Sequence, residues 1–150
     1  LFKLRIDYPS QTEEIEVLRR ADGREEAVQP VVDGTLLGRA SAEAGRVQLD
    51  DAVRGYMVKL VQATRTGHGK AWKGRELLRC GASPRASLAL QSASKAFAYL
   101  SGRGHVLPDD VVALLPDVLR HRLLLTFEAE ADGVTTDEVI ARLLESVPRP

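Results

Sequence analysis

Hydrophobic and polar residues alternate strictly over the first eight positions of the chain. The apolar positions of this run are Phe2, Leu4, Ile6 and Tyr8. Alternation with a period of two is typical of a half-buried β-strand, because successive side chains point to opposite faces. Pro9 ends the run, and a helical pattern follows at once. We therefore expect a strand whose partner strands are formed mainly by residues outside this chain.

Beyond Pro9 the apolar residues recur with the helical period, and capping residues mark where helices begin. Ser10 and Glu13 have the spacing of a capping box, as do Thr135 and Glu138. Asp50 is a suitable N-cap for a strong helix whose apolar face comprises Val53, Met57, Leu60, Val61 and Thr64. The predicted helices span 10–22, 36–44, 50–66, 84–101 and 135–147, with one more that begins at Pro108 and either kinks or restarts at Pro116.

The clearest of these helices is the one predicted over 84–101. Ser83 is a candidate N-cap, and Pro84 occupies the first helical position, where its missing N–H costs nothing. The apolar stripe consists mostly of alanines, which let a neighbouring helix approach closely. Its members are Ala86, Ala89, Leu90, Ala93, Ala96, Phe97 and Leu100. We expect this helix to be central and well buried in a predominantly helical bundle.

One short pattern occurs twice. The segment 45–53, with the sequence Gly-Arg-Val-Gln-Leu-Asp-Asp-Ala-Val, resembles 104–112, with the sequence Gly-His-Val-Leu-Pro-Asp-Asp-Val-Val. Both patterns indicate extended residues that lead into a helix capped by acids. One interpretation is that good helix starts look alike; the other is that the two extended pieces pair as a tiny sheet at one end of the bundle.

Two segments are harder to assign. Residues 67–82 are irregular, with a short extended piece predicted at 76–79. Residues 119–127 fit either a continued helix or a strand, and the choice between strand and helix stays open as far as residue 129.

Composition bounds the class of protein. The 150 residues, 44% of them hydrophobic, suffice for one domain with a core. Leu and Ala supply 39 residues, which favours helices. With 21 basic and 21 acidic residues the net charge is zero, which argues against a generally basic nucleic-acid or membrane-surface protein. No apolar run approaches the roughly 20 residues of a membrane span. Because residue 1 is Leu, we expect the chain to be part of a longer protein.

Metal and thiol chemistry have weak support. His68, His105 and His121 lack the spacing of metal ligands, so no metal site is predicted. Cys80 is the only cysteine, which excludes an internal disulfide; we interpret it as a partly buried structural thiol rather than a nucleophile. The segment 65–79 is locally basic and contains Trp72. It fits a loop packed by one tryptophan or, less well, a nucleic-acid patch.

The position of Arg85 is chemically informative. It falls in the first turn of the predicted helix over 84–101, where a cation is mildly unfavourable because the helix N-terminus already carries partial positive charge. An anion bound there would use both the free N–H groups and the guanidinium, and phosphate is the obvious candidate. A surface arginine in water is the alternative interpretation.

Three segments together resemble one protein family. They are Gly-Ala-Ser-Pro-Arg-Ala-Ser-Leu-Ala-Leu at 81–90, Gly-Arg-Gly-His-Val-Leu-Pro-Asp-Asp-Val at 102–111 and Val-Leu-Arg-His-Arg-Leu at 118–123. They resemble the C-terminal lid of the MoxR family of AAA+ ATPases, and the segments 4–20 and 133–148 are similar to the flanks of that lid. The resemblance implies a mainly α fold, a helical bundle of the AAA+ lid type. It assigns residues 1–9 to a terminal strand at the junction with an ATPase core, and residues 10–150 to the lid.

The resemblance also implies a site. In the family, the arginine that matches Arg85 is the sensor-2 residue, which reaches the terminal phosphates of ATP; Ser83 and Pro84 would lie beside the nucleotide. This sequence has no P-loop and no Walker-B acids, because Asp50-Asp51 and Asp109-Asp110 open helices instead. ATP with Mg²⁺ is therefore expected in the full-length protein, and none bound tightly to this chain alone. Taken alone, the chain is predicted to be inactive.

The resemblance further implies partners. The parent protein would be a cytoplasmic ATPase that couples ATP hydrolysis to remodelling or maturation of partner proteins, some with von Willebrand A-type domains. The lid would contact the core of its own chain and neighbouring subunits of a ring. Two other functions compete with this one: a non-enzymatic helical adaptor that binds proteins through apolar helix faces, and a small DNA-binding helical domain that uses residues 65–79.

Overall fold

The computed structural model describes residues 2–22, 29–65, 71–72 (backbone alone) and 75–150. Within these residues the chain forms seven helices, and none of them is long and apolar enough to cross a membrane. The helices are α1 (Gln11–Ala21), α2 (Gly34–Gly45), α3 (Asp51–Ala63), α4 (Arg85–Leu100), α5 (Pro108–Leu119), α6 (Phe127–Ala131) and α7 (Thr136–Ser146). Four short strands accompany them: β1 (Ala71–Trp72), β2 (Arg75–Glu76), β3 (Leu78–Cys80) and β4 (Leu124–Leu125). The mainly α bundle is thus confirmed.

Helix α4 is the centre of the bundle, where it packs against α2, α3 and α5. Its buried residues are Ala86, Ala89, Leu90, Ala93, Ser94 and Ala98. The last part of the predicted stripe is wrong, because Phe97 is 40% and Leu100 82% exposed. The buried face follows i, i+4 steps through Leu90, Ser94 and Ala98. We attribute this to close helix packing, which favours small side chains over larger apolar ones.

Helix α3 confirms the predicted face. The Asp50 side chain accepts a hydrogen bond of 2.7 Å from the N–H of Ala52 and so caps the helix. Its predicted apolar residues, from Val53 to Thr64, are all buried. The helix ends at Ala63, three residues before the predicted end.

The predicted N-terminal strand does not form within this chain, and its expected partner strands lie outside it. Residues 2–9 form no strand, and the apolar side chains of the alternating run are exposed, with Ile6 at 90% and Tyr8 at 100%. A strand needs a neighbouring strand for its hydrogen bonds, and the described residues offer none here. The backbone instead contacts the end of α5, where the N–H of Lys3 donates to the carbonyl of Asp117 at 2.9 Å.

Helix α1 has the predicted capping box but little packing. The N–H of Ser10 donates to Glu13 Oε2 at 2.8 Å, and the Ser10 side chain accepts in return from the Glu13 N–H. None of its residues is buried, and its apolar edge, Ile15 and Leu18, is exposed. Local signals therefore suffice to form this helix, whereas its apolar edge has no partner in the described residues.

The repeated pattern forms a small pairing, which confirms the second interpretation. Gln48 and His105 form an isolated parallel bridge. The N–H of Gln48 donates to the carbonyl of Gly104 at 2.9 Å, and the N–H of Val106 donates to the carbonyl of Gln48 at 3.0 Å. The starts of α3 and α5 are thereby tied together at one end of the bundle.

The two ambiguous segments pair with each other. Strands β3 and β4 are antiparallel, with Leu78 opposite Leu125 and Cys80 opposite Leu124. Residues 124–125 are therefore strand, and α6 follows from Phe127. Pro116 lies inside α5 and does not end it, since the helix continues to Leu119.

A buried ion pair fixes the start of α5. Both terminal nitrogens of Arg103 donate to the Asp110 carboxylate, at 2.8 and 2.6 Å, and the N–H of Leu107 adds a bond of 2.8 Å. Burial alone raises the pKa of Asp110. The Arg103 and Leu107 hydrogen bonds and the charges of Arg103 and His105 outweigh that effect, so the pKa lies below its ordinary value.

Arg120 ties three parts of the chain together. Its Nε donates to Asp137, in the first turn of α7, at 2.9 Å. Its Nη1 donates to Asp117 at 2.9 Å and to the carbonyl of Lys3 at 2.8 Å. Arg120, in the segment 118–123, thus has a structural role at the end of α5.

Candidate functional site

Arg85 is the first residue of α4, and its side chain is exposed. Its guanidinium makes no hydrogen bond or ion pair with any described residue. The first turn of α4 contains no acidic residue, whereas α1, α3, α5, α6 and α7 each have at least one there. The positive end of the helix dipole and the Arg85 charge therefore face solvent together, uncompensated by the described chain.

The predicted cap of α4 needs correction. Pro84 is the N-cap rather than the first helical residue, and no side chain caps the helix; the Ser83 hydroxyl has no partner among the described residues. The reason is that Pro84 already has helical dihedral angles, φ −55° and ψ −22°, whereas an N-cap normally has extended ones. The first turn closes through backbone carbonyls instead.

Those backbone hydrogen bonds reduce the number of N–H groups that an anion could bind at the start of α4. The N–H of Ala86 donates to the Ser83 carbonyl at 2.9 Å, and the N–H of Ser87 donates to the Pro84 carbonyl at 3.1 Å. Two N–H groups of the first turn are therefore already bonded. The principal donor that α4 offers to a phosphate is the guanidinium, with the helix dipole as a background term.

The chain before Arg85 is fastened to the end of α3. Thr64 Oγ1 accepts a hydrogen bond of 3.0 Å from the N–H of Ala82, and Arg65 Nε donates to the Ala82 carbonyl at 2.6 Å. Gly81 lies so close to Thr64 that a Cβ at position 81 would stand 2.3 Å from the Thr64 carbonyl oxygen. Neither Thr64 nor Arg65 was predicted from the sequence to lie at this site. The signal for this contact was Gly81 directly before the Ala-Ser-Pro-Arg run.

An open cavity of about 380 Å³ lies between the end of α3 and the start of α4. Its walls include Val58 and Arg65 from the α3 side and Pro84, Ser87 and Leu88 from the α4 side. The surface next to Pro84, the residue before Arg85, is therefore concave and uncovered in the described chain.

Within the described residues, the remaining candidates form no second site. His68 lies outside the described residues, and His105 lies in the parallel bridge described above. His121 is exposed beside Arg122; partial burial, and then the charges of Arg122 and Lys3, lower its pKa. No group of three potential metal ligands occurs in the part of the chain that the structure describes. Cys80, the last residue of β3, is exposed rather than partly buried.

The basic segment 65–79 is described only in part. Lys70, Lys73 and the Trp72 side chain lie outside the described residues. Of its described cations, Arg65 is bonded to the Ala82 carbonyl, and Arg75 forms an ion pair of 2.6 Å with Asp132. These two side chains are therefore engaged in contacts within the chain, and the nucleic-acid interpretation gains no support from them.

Known proteins are similar to this chain in architecture and in sequence. The AAA lid domain family matches residues 74–143. Over its whole length the chain is 36% identical to Chaperone MoxR1 of Mycobacterium tuberculosis and 34% identical to the uncharacterized protein YeaC of Bacillus subtilis. Protein MoxR of Methylorubrum extorquens is 33% identical over 84% of the chain. The chain spans 40%, 45% and 39% of these three relatives, which is less than half of each.

A solved structure has the same fold. The crystal structure of a candidate ATPase from Cytophaga hutchinsonii superposes with a TM-score of 0.86 over 99% of the chain, at 28% sequence identity, and the match covers 46% of that protein. Fold, lid match and whole-length relatives converge on one conclusion: the chain belongs to the MoxR family of AAA+ ATPases and carries the family's lid domain.

Proposed function

We propose that this chain is the lid of an ATPase in which Arg85 acts as the sensor-2 residue, on the terminal phosphates of ATP. The observation that carries the proposal is the exposed guanidinium of Arg85, unpartnered within the described chain, at a helix start that has no acidic residue. Holding a cation there is unfavourable unless an anion compensates it. A triphosphate bound across the start of α4 would supply that anion.

The residues present fit one wall of a nucleotide site. Arg85 can donate in a bidentate way to phosphate oxygens, and Ser83 and Pro84 lie immediately before it on the exposed side of the chain. The P-loop and the acids that would hold Mg²⁺ must come from a core domain, because this sequence contains neither motif. When bound, Mg²⁺ neutralises developing charge on the phosphates. Arg85 would stabilise charge on the γ-phosphate oxygens during transfer.

We further propose that residues 1–9 form the junction with the core and that residues 10–150 form the lid. The exposed alternating side chains of residues 2–8 and the unburied helix α1 support this division, because both present apolar groups that the described residues do not cover. In the full-length protein, core residues would cover them.

The name of one relative supports a proposal for the cellular role. One relative is named a chaperone, which favours a parent protein that acts on other proteins. We propose that ATP hydrolysis in a ring of such subunits drives remodelling or maturation of partner proteins, with von Willebrand A-type proteins as the first partners to test.

The test is ATP turnover by the full-length protein, with Arg85→Ala and Arg85→Lys compared with the natural protein. We expect the alanine variant to lose most of its turnover. The lysine variant should recover only part of it, because a point charge cannot reproduce the planar fork of a guanidinium. The melting temperature should change little, because the Arg85 side chain is exposed and makes no hydrogen bond or ion pair with the described residues.

Arg39→Ala is the matched control. Arg39 is likewise exposed on a helix and free of side-chain bonds among the described residues, so its removal should leave turnover unchanged. Unchanged turnover in Arg85→Ala would refute the proposed role. A collapsed melting temperature in that variant would assign Arg85 to folding instead.

A further inference from the structure

Three hydrogen bonds fix the end of α3 and connect it to the segment that leads into α4. Thr64 is 1% and Ala82 1% exposed, so their hydrogen bond of 3.0 Å is shielded from water. The same Thr64 hydroxyl donates to the Val61 carbonyl at 2.6 Å, which fixes its rotamer. Both polar groups of the Ala82 backbone are bonded, because its carbonyl accepts from Arg65 Nε at 2.6 Å.

Gly81 makes this contact possible. A Cβ there would meet the Thr64 carbonyl oxygen at 2.3 Å, its carbonyl carbon at 2.6 Å and Oγ1 at 2.9 Å. These distances are too short for any side chain, and two of the three atoms are backbone. The backbone at position 81 thus passes the end of α3 at a distance that only glycine permits.

We propose that Thr64, Arg65 and Gly81 form a latch that fixes the start of α4 on the end of α3 and thereby holds the Arg85 guanidinium where it meets the terminal phosphate. The inference rests on the proposed role of Arg85. The three members of the latch are positioning residues, because their bonds reach Arg85 only through the backbone of residues 82–84.

The physical reason is the short, stiff connection. Only Ser83 and Pro84 separate the bonded Ala82 from Arg85, and proline fixes its own φ. Any shift of Ala82 therefore moves the base of the arginine side chain. A displacement of about 1 Å in a catalytic arrangement can lower a rate by about a hundredfold. The latch also joins α3 to α4, so that the arginine moves with both helices as one body.

The test uses the full-length protein and a double-mutant cycle. Thr64→Val keeps the shape of the side chain and removes the hydroxyl, whereas Thr64→Ser keeps the hydroxyl. We expect Thr64→Val to lower kcat for ATP by about tenfold or more, Thr64→Ser to stay near the natural value, and ADP affinity to be unchanged in both. In an Arg85→Ala background Thr64→Val should cost nothing further, because the residue that it positions is absent.

Glycine variants give an independent second arm. Gly81→Ala inserts a methyl group into the latch, while Gly55→Ala inserts one into α3 where nothing lies within 4 Å. Gly81→Ala should lower turnover and Gly55→Ala should not. If Thr64→Val fails to fold, this pair decides the question.

The outcomes separate the two proposals. If Arg85→Ala lowers turnover but folded Thr64→Val and Gly81→Ala do not, the latch is refuted and the sensor-2 role stands. A Thr64→Val loss that adds in full to the Arg85→Ala loss also refutes the latch, because the threonine then acts elsewhere. If Arg85→Ala leaves turnover unchanged, the sensor-2 role and the latch are refuted together.

Discussion

Asp109 and Asp110 are adjacent carboxylates in the first turn of α5 whose surroundings differ sharply. The Asp110 side chain is 5% exposed and accepts three hydrogen bonds, two from Arg103 and one from the N–H of Leu107. The Asp109 side chain is 77% exposed and pairs at 2.7 Å with Arg149, which is itself 57% exposed. Replacing each by alanine removes the same atoms from the same helix turn, so the two variants compare a buried pair with an exposed one.

The structure sets the size of the expected effects. Breaking a buried ion pair typically costs about 3–5 kcal/mol, because the partner charge is left without compensation. Arg103 remains 26% exposed, so water relieves part of that penalty, and we expect about 3 kcal/mol for Asp110→Ala. Exposed pairs contribute about 0.2–1 kcal/mol. Asp109→Ala should therefore cost about 1 kcal/mol or less, including its share of the helix-dipole interaction.

Urea unfolding of the chain at pH 7, followed by circular dichroism, measures both costs. With a slope near 2 kcal/mol per molar urea, Asp110→Ala should lower the midpoint by about 1.5 M and Asp109→Ala by about 0.5 M or less. Equal shifts for the two variants would refute the reasoning, because burial would then not determine the strength of these pairs.

Acid stability, the buried face of α4 and nucleotide binding can each be tested as well. The folded-state pKa of Asp110 lies below its ordinary value, so the stabilisation by its ionised carboxylate is complete above about pH 4 and is lost as pH falls through the folded-state pKa. The difference in unfolding free energy between the natural chain and Asp110→Ala should therefore close in acid. A difference independent of pH would contradict this. Leu90→Ala should lower the unfolding free energy by about 2–5 kcal/mol, because Leu90 is fully buried. Leu88 is 64% exposed on the same helix, so Leu88→Ala should change it by no more than about 0.5 kcal/mol. Similar melting curves for the two variants would contradict the placement of the core. The isolated chain should show no ATP turnover and only weak ATP binding, since the P-loop supplies much of the phosphate contact in such sites, and a micromolar dissociation constant by calorimetry would overturn this.

Helix positions were predictable where the signal is local. The capping boxes at Ser10 and Thr135 both form, because they need only residues three positions apart. The pairing of Gln48 with His105 was one of two open interpretations, since the repeat indicated similar local conformations and nothing in the sequence showed that the two copies touch.

The predictions that the described residues do not reproduce concern surfaces that depend on neighbours. The alternating run from Phe2 to Tyr8 has the pattern of a strand, but pattern alone cannot supply the sheet against which a strand pairs. In α4, the pattern favoured Phe97 as a core residue by hydrophobicity, whereas the packed face takes Ser94 and Ala98.

The candidate site was predictable only in its motif. The position of Arg85 at a helix start followed from Pro84 and the helical period. The contact of Thr64 with Ala82 joins residues 18 positions apart, and no local rule brings them together. The backbone bonding that occupies the first turn of α4 likewise depends on the dihedral angles of Pro84, which the sequence restricts but does not determine.

The central claim is that Arg85 contacts the terminal phosphate of ATP, and binding measurements test it most directly. Calorimetry on the full-length protein would compare a non-hydrolysable ATP analogue with ADP, for the natural protein and for Arg85→Ala. A charge-assisted hydrogen bond of about 1.5–3 kcal/mol corresponds to a loss of affinity of about tenfold to a hundredfold. If Arg85 contacts the terminal phosphate, Arg85→Ala should show that loss for the ATP analogue and an unchanged affinity for ADP. Equal affinities of the two proteins for the ATP analogue, or equal losses for both nucleotides, would contradict it.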